Sequence, residues 1–326
     1  MSANVKAAFL ALLAFAVFAT HDVIIKFLGA SFGPVQIVFF SVLFGFPWLT
    51  LMLVRDEAAE NLRPHHPWWV TIRTIAVIFS SFCAFYAFSN LPLAQVYTII
   101  FMMPLFITLL SIPFLGERVG FHRGASILAG LAGVIIVLRP GSAELGLGHL
   151  AALGTAFGGA LASVIVRKIG QEERGAVFLL YPMLGNIALM GALLPFSYQP
   201  MSLTEMGLMA LLAAFAFLAT ALMIGAYKIG EAAAVAPMQY SQMIWAIIFG
   251  ALLFGETPDV MTMIGALVII ASGIYIVVRE STSNISQNQP VLRSRSRVAA
   301  GSYFRIGPMI RKSRMKRNAS KPKEDN

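Results

Sequence analysis

The stretch from Leu93 to Pro140 reads LAQVYTIIFMMPLFITLLSIPFLGERVGFHRGASILAGLAGVIIVLRP. It holds two apolar runs of about 20 residues, the length a helix needs to cross a bilayer, joined by a short turn at Gly116-Glu117. A second stretch, Ala232 to Glu280, reads AAAVAPMQYSQMIWAIIFGALLFGETPDVMTMIGALVIIASGIYIVVRE. Phe114-Leu115-Gly116-Glu117 matches Leu253-Phe254-Gly255-Glu256 at an offset of 139, and Gly133-Val134-Ile135 matches Gly273-Ile274-Tyr275 at an offset of 140. A weaker echo links Lys26 with Lys168. The chain therefore reads as one unit used twice.

Outward from these stretches the apolar runs continue. Spans are predicted over roughly 5–28, 34–54, 67–89, 93–115, 121–139, 147–168, 176–196, 203–227, 233–254 and 258–279. The connections are short and carry breakers such as Gly33-Pro34, Pro92, Pro140-Gly141 and Pro200. Of the 326 residues 58% are hydrophobic and only 12% charged, where a soluble domain carries about 25% charged residues. A membrane barrel would show alternating segments of about 10 residues, a pattern this sequence lacks. The predicted fold class is an all-α membrane protein of ten transmembrane helices. The run from Val5 to Thr20 outlasts a signal-peptide core of roughly 7–15 residues and reads as an uncleaved first span.

The net charge of +9 suggests nucleic acid until it is located. Residues 1–279 balance to +1 and residues 280–326 to +8. The basic, Ser- and Asn-rich stretch 281–326 is predicted to be a disordered cytoplasmic tail, suited to anionic lipid headgroups or acting only as a topological anchor. No nucleic-acid partner is expected. Cytoplasmic loops retain Lys and Arg. With both termini inside, the inner loops hold eight such residues (Arg55, Arg63, Arg118, Arg123, Arg167, Lys168, Arg174 and Lys228) and the outer connections two, Lys26 and Arg139. Trp68 and Trp69 suit an interfacial belt.

Two units, residues 1–140 and 141–280, would hold five spans each. An odd number forces opposite insertion, so the Gly116 turn would be cytoplasmic and the Gly255 turn external. Inverted repeats are a device for alternating access, which points to a secondary transporter, with a non-transporting scaffold as the reading from another class. A catalytic role is not expected: the spans hold few converging His, Asp or Glu residues, and no Walker sequence is present.

The paired Gly-Glu turns, Gly133 and Gly273, and the first-span FATHDVIIKFLG resemble the EamA-type drug/metabolite transporters over residues 5–280. HDVIIKFLG, QIVFF and LRPG are most similar to a bacterial subgroup containing riboflavin and S-adenosylmethionine importers. Many relatives carry Arg shortly after the QIVFF-like stretch, where this chain has Ser41. The resemblance implies a ten-helix fold in the bacterial inner membrane, a central cavity and a small metabolite as substrate. Riboflavin uptake is the first expectation, with S-adenosylmethionine uptake or efflux of amino acids or drugs as alternatives. No cofactor is implied, and a homodimer stays open.

Ionisable groups within spans tend to face a cavity or a neighbouring helix. His21 and Asp22 are the candidates for proton coupling, since His titrates at about pH 6.5. Alternatively Asp22, four residues before Lys26 and about 9 Å from the helix end at 1.5 Å per residue, forms an end-of-helix salt bridge with it. The candidate substrate-binding residues are Tyr86 in the third span, Tyr97 and Phe101 in the fourth, and Gln239, Tyr240, Gln242 and Trp245 in the ninth. Pro104 and Pro237 are expected to bend their helices and open a site at mid-membrane. Tyr97 and Phe101, and likewise Ser241 and Trp245, share a helix face. Neutral amides and aromatic rings suit a flat ligand, although the same residues also pack helix on helix.

Ser80 and Ser81 read as packing residues. Arg73 could anchor at lipid phosphates or face an anionic group of the substrate. Glu117 and Glu256 read as turn or capping residues. His65-His66 lacks partners at metal-ligand spacing, and Gly146-Leu147-Gly148 follows no strand and so is no nucleotide fingerprint. A lone Cys83 excludes a disulfide framework.

Overall fold

The computed structural model describes residues 3–54, 62–116, 121–139, 146–170, 172–230 and 235–282. Residues 283–326 of the tail, the Glu117 turn and the side chain of Lys228 lie outside the described residues, whereas residues 281 and 282 end a helix rather than begin the predicted disordered tail. The described residues form eleven α-helices and two short 3-10 turns, with no strand among them. The helices are α1 (Ala3–Gly29), α2 (Pro34–Val54), α3 (Pro67–Asn90), α4 (Leu93–Ile100), α5 (Met103–Leu115), α6 (Phe121–Leu138), α7 (Leu147–Ile169), α8 (Val177–Leu193), α9 (Leu203–Ile229), α10 (Ser241–Phe254) and α11 (Val260–Thr282). With α4 and α5 taken as one span, eight segments are long and apolar enough to cross a membrane, and Gly124–Leu138 and Val260–Tyr275 are shorter apolar helices. These segments coincide with the predicted spans.

The outer surface is apolar: Phe9, Leu128, Leu150, Leu252 and Leu267 are all exposed. In water such a surface would aggregate; against lipid it costs nothing. With no hydrophobic drive between helices in a bilayer, close approach must hold them together. α3 and α7 meet where small residues remove the side-chain spacer. A Cβ on Gly158 would stand 2.9 Å from the Ala76 carbonyl oxygen, and one on Gly154 would stand 3.0 Å from Cys83 Sγ. Ser80 Oγ donates to the Thr155 carbonyl at 3.0 Å across the same seam, a packing role. α6 and α11 approach in the same way, with the Gly133 carbonyl 2.6 Å from where a Gly265 Cβ would sit. α1 lies on α9 through Ala7, Ala11, Ala14, Ala219 and Ala226, all fully buried.

A helix break and a 3-10 turn organise the interior. α4 stops at Ile100 and α5 starts at Met103, so the break falls on Phe101-Met102. It precedes Pro104, which occupies the first turn of α5, where a missing N–H leaves no bond unmade. Farther along the chain a 3-10 turn, Ala236–Tyr240, carries Pro237 in its first turn and hands over to α10 at Ser241. The bend predicted at Pro104 is thus displaced to Phe101. Phe101 and Tyr240 stand 139 positions apart, the interval that also separates Gly116 and Gly255. Both glycines end their helices in the left-handed conformation, at φ 67° and 64°, which glycine alone adopts without strain. The Gly255 turn lies at the end of the molecule where α1 finishes and α4 begins, because Glu256 reaches both Lys26 and Leu93. The Gly116 turn lies beside the last turn of α7, where Lys168 Nζ donates to the Phe114 carbonyl at 3.0 Å.

Candidate functional site

α1 carries His21 and Asp22 into an environment with no solvent exposure at either residue. Isolated charges there would be costly, so they need partners. His21 Nδ1 lies 2.8 Å from Asp22 Oδ1. An ionised carboxylate only accepts, so Nδ1 carries the hydrogen when Asp22 is charged. The second carboxylate oxygen, Oδ2, accepts from the Tyr97 hydroxyl of α4. His21 Nε2 is buried with no hydrogen-bond partner.

Tyr97 leads into a run of rings. Its ring meets Phe88 edge-on at 5.4 Å and lies 6.2 Å from Phe101, and Phe101 meets Tyr240 edge-on at 5.1 Å. Tyr97 and Phe101 share a face as the i,i+4 spacing predicts. All four rings are buried. The Tyr240 hydroxyl abuts Gly273, where a Cβ would fall 1.8 Å from it. Thr98 Oγ1 donates to the Ala94 carbonyl at 2.7 Å and approaches Met243 Sδ at 3.8 Å, joining α4 to α10. Gln242 is buried with Nε2 unpartnered, and the Ser241 hydroxyl is likewise buried and unpartnered. Unsatisfied donors inside an apolar bundle are rare and suit a bound polar ligand. Among the described residues no group of three potential metal ligands assembles.

The structure thus brings His21, Asp22, Tyr97, Phe101 and Tyr240 together and sets Gln242 nearby on α10. Gln239 and Tyr86 are only half-buried. Trp245 stacks on Phe249 of its own helix, with centroids 5.7 Å apart.

Two expectations are overturned. The predicted Asp22–Lys26 pair does not form. Lys26 extends towards the helix end, where a long side chain can keep its ammonium near water. There its Nζ lies 2.7 Å from Glu256 Oε1, donates to the Leu91 carbonyl at 2.6 Å and stands 5.3 Å over the Phe254 ring. Glu256 Oε2 accepts from Leu93 N at 3.1 Å, at the positive end of α4. Glu256 is therefore more than a turn residue. The same end carries an ion pair between Arg139 and Asp259. Arg73, in turn, is not at lipid phosphates. It is 2% exposed, with Nη1 donating to the Phe178 carbonyl at 2.6 Å and its guanidinium 4.9 Å from the Phe178 ring.

Sequence reasoning missed Phe88 and the Lys26–Glu256 contact. The latter was legible, since the span count set Lys26 and the second Gly-Glu turn at the same membrane face. Phe88 carries no signal that separates it from other apolar residues. At the opposite end, His66 pairs with Glu172 through Nε2 at 2.5 Å, and its backbone N–H is held by Glu173.

The EamA-like transporter family model matches residues 5–139 and again residues 146–279. The S-adenosylmethionine uptake transporter of Rickettsia bellii (strain RML369-C) is 25% identical over 260 residues, 80% of this chain and 89% of its own. The pseudopaline exporter CntI of Pseudomonas aeruginosa (strain UCBPP-PA14) is 26% identical across 82% of this chain and 94% of its own. The riboflavin transporter of Vibrio cholerae serotype O1 is 26% identical, covering 76% and 89% respectively. A solved crystal structure overlays 86% of this chain and 99% of its own, with a TM-score of 0.55 at 20% identity, a likeness of fold alone.

Proposed function

The chain belongs to the EamA-like transporter family, and from that premise we propose a secondary transporter of alternating access that moves a small metabolite across a bacterial inner membrane. In this reading residues 1–140 and 141–280 are two five-helix halves inserted with opposite topology, and both termini are cytoplasmic. The observation that carries it is the contact between Phe101 and Tyr240. Residues one repeat apart meet, Phe101 at a helix break and Tyr240 at the end of a 3-10 turn, as residues beside a pseudo-two-fold axis do. Such an axis, with interrupted helices at mid-membrane, is the geometry in which two halves can exchange shapes and expose one site to either side. The Lys26–Glu256 ion pair closes the outer end in this state.

The substrate in this reading is a flat heterocycle held between the rings of Tyr97, Phe101 and Tyr240 and the amides Gln239 and Gln242, with riboflavin first. Tyr86 and Trp245 serve as flanking contacts. Ring stacking would contribute about 0.5–1.5 kcal/mol beyond the area buried. One observation favours a second substrate: the buried carboxylate of Asp22 beside Tyr97 suits a cation among aromatic rings, as in the sulfonium of S-adenosylmethionine. Residues 281–326 fit a cytoplasmic basic tail at anionic lipids.

Expression in a riboflavin auxotroph at limiting vitamin tests the reading, with flavin analogues and S-adenosylmethionine as competitors. Rescue blocked by flavin analogues supports riboflavin. No rescue, together with saturable uptake of labelled S-adenosylmethionine, moves the substrate to the second reading. No uptake of either leaves the scaffold reading.

A further inference from the structure

We infer that His21 and Asp22 form a proton-binding site whose loading couples transport to the proton gradient, with His21 Nε2 as the exchanging atom. This rests on the transport reading above and adds its driving ion.

Both residues have no exposure, and Nδ1 of His21 lies 2.8 Å from Oδ1 of Asp22. A membrane interior retains ionisable groups where they bind or relay something. A purely structural His–Asp pair would be expected to use both ring nitrogens, because a buried polar atom without a hydrogen bond is destabilising. Here Nδ1 is engaged and Nε2 is not. In the loaded form Nε2 and Nδ1 both carry hydrogen, Nδ1–H donates to Asp22 Oδ1, and imidazolium and carboxylate cancel. In the unloaded form the Nε2 proton has left to water, and the pair carries the single negative charge of Asp22, held by the Tyr97 hydroxyl and Nδ1–H. One N–H bond forms or breaks and no other covalent change occurs. The two forms differ by a charge, so they favour different degrees of hydration around α1.

Other titratable groups near α1 are few. Tyr97 of α4 touches the pair directly; on α1 itself Lys26 is committed to Glu256, and Lys6 lies near the N-terminal end of the helix, about 22 Å from His21 at 1.5 Å per residue. Of the elements packed on α1, α3 bears Arg73, Cys83 and Tyr86, α9 bears Glu205, Tyr227 and Lys228, and the 3-10 turn bears Tyr240. Arg73 is held by Phe178 and Glu205 by the α9 cap. α2 and α10 bear no titratable group. His21 is thus the one imidazole on α1 and the elements packed against it.

The test uses full-length protein in liposomes, with a trapped pH dye and the membrane voltage clamped. Labelled riboflavin and, separately, S-adenosylmethionine serve as probes. Substrate entry is expected to carry protons with it. The His21→Gln variant, whose amide cannot cycle a proton, is expected to lose proton movement per substrate molecule carried. Should that variant not fold, Tyr97→Phe is expected to displace the pH midpoint of wild-type proton uptake. Wild-type exchange of substrate without proton movement overturns the coupling and leaves the transport reading standing. An unchanged proton-to-substrate ratio in His21→Gln, or an unmoved midpoint in Tyr97→Phe, also overturns it. Absence of exchange with either probe removes the transport reading and the coupling together.

Discussion

Lys26 Nζ stands 2.7 Å from Glu256 Oε1, so the last turn of α1 is tied to the turn between α10 and α11. The lysine side chain is 11% exposed and the glutamate 23%, an environment that is neither open water nor hydrocarbon. Glu256 also reaches the first N–H of α4. A single carboxylate thereby gathers three segments at one end of the bundle, and its loss should free all three.

Glu256→Gln removes the charge while keeping the shape. Breaking a partly buried pair and its helix-terminus contact should cost about 1–3 kcal/mol, read as a lower unfolding temperature in detergent. In membranes, a cysteine placed at Asn90, beside this end, should react faster with a hydrophilic thiol reagent than in the parent. The charge-swapped double variant Lys26→Glu with Glu256→Lys should recover part of the loss. If the single variant leaves reactivity unchanged, the pair does not close this end.

Tyr97→Phe deletes one hydroxyl and leaves the ring run intact. A hydrogen bond to a charged group contributes about 1.5–3 kcal/mol, so uptake should fall about 10- to 100-fold when the bond is stronger at the transport barrier than in the resting state. Membrane insertion, checked by expression level, should be unaffected. Uptake at the parental rate would separate Asp22 from the transport site.

Gly273 and Gly116 offer a contrast within one experiment. An alanine at 273 would put its Cβ 1.8 Å from the Tyr240 hydroxyl, whereas at 116 nothing lies within 4 Å. Gly116→Ala then suffers only from its positive φ, about 1 kcal/mol. Gly273→Ala must displace Tyr240 and with it the contact to Phe101. Transport should be lost in the second variant and retained in the first, at similar expression.

Arg73→Ala tests a structural role. It leaves the Phe178 carbonyl without its donor, at about 1–3 kcal/mol, and removes a stacked cation that contributes about 2 kcal/mol when desolvated. Thermal stability should drop while substrate preference stays the same. A change in preference towards less acidic substrates would instead place Arg73 at the site.

Much of the architecture was legible because lipid imposes a simple rule: apolar runs of helix length, separated by breakers. Gly116 and Gly255 announced two equivalent turns, and the αL conformation at both explains why glycine stands there. The i,i+4 pairing of Tyr97 with Phe101 was legible from helical spacing. Partner choice was not. Asp22 and Lys26 satisfy the same spacing, yet each found its partner elsewhere, in His21 and Tyr97 and in Glu256. Spacing along one helix says nothing of what a neighbouring helix presents. Arg73 misled for the same reason, since only the approach of α8 supplies the carbonyl that lets it be buried. The break at Phe101 rather than Pro104 was hidden because proline is as content starting a helix as bending one.

The proposed alternating access requires that the two halves insert with opposite topology. Single cysteines at Arg118 and Thr257, which stand 139 positions apart, measure it in a Cys83→Ser background with a membrane-impermeant maleimide. Thr257→Cys is expected to be labelled from the periplasmic side of intact spheroplasts, and Arg118→Cys only in inverted vesicles. Labelling of both from one side would contradict the inverted arrangement and the alternating access built on it.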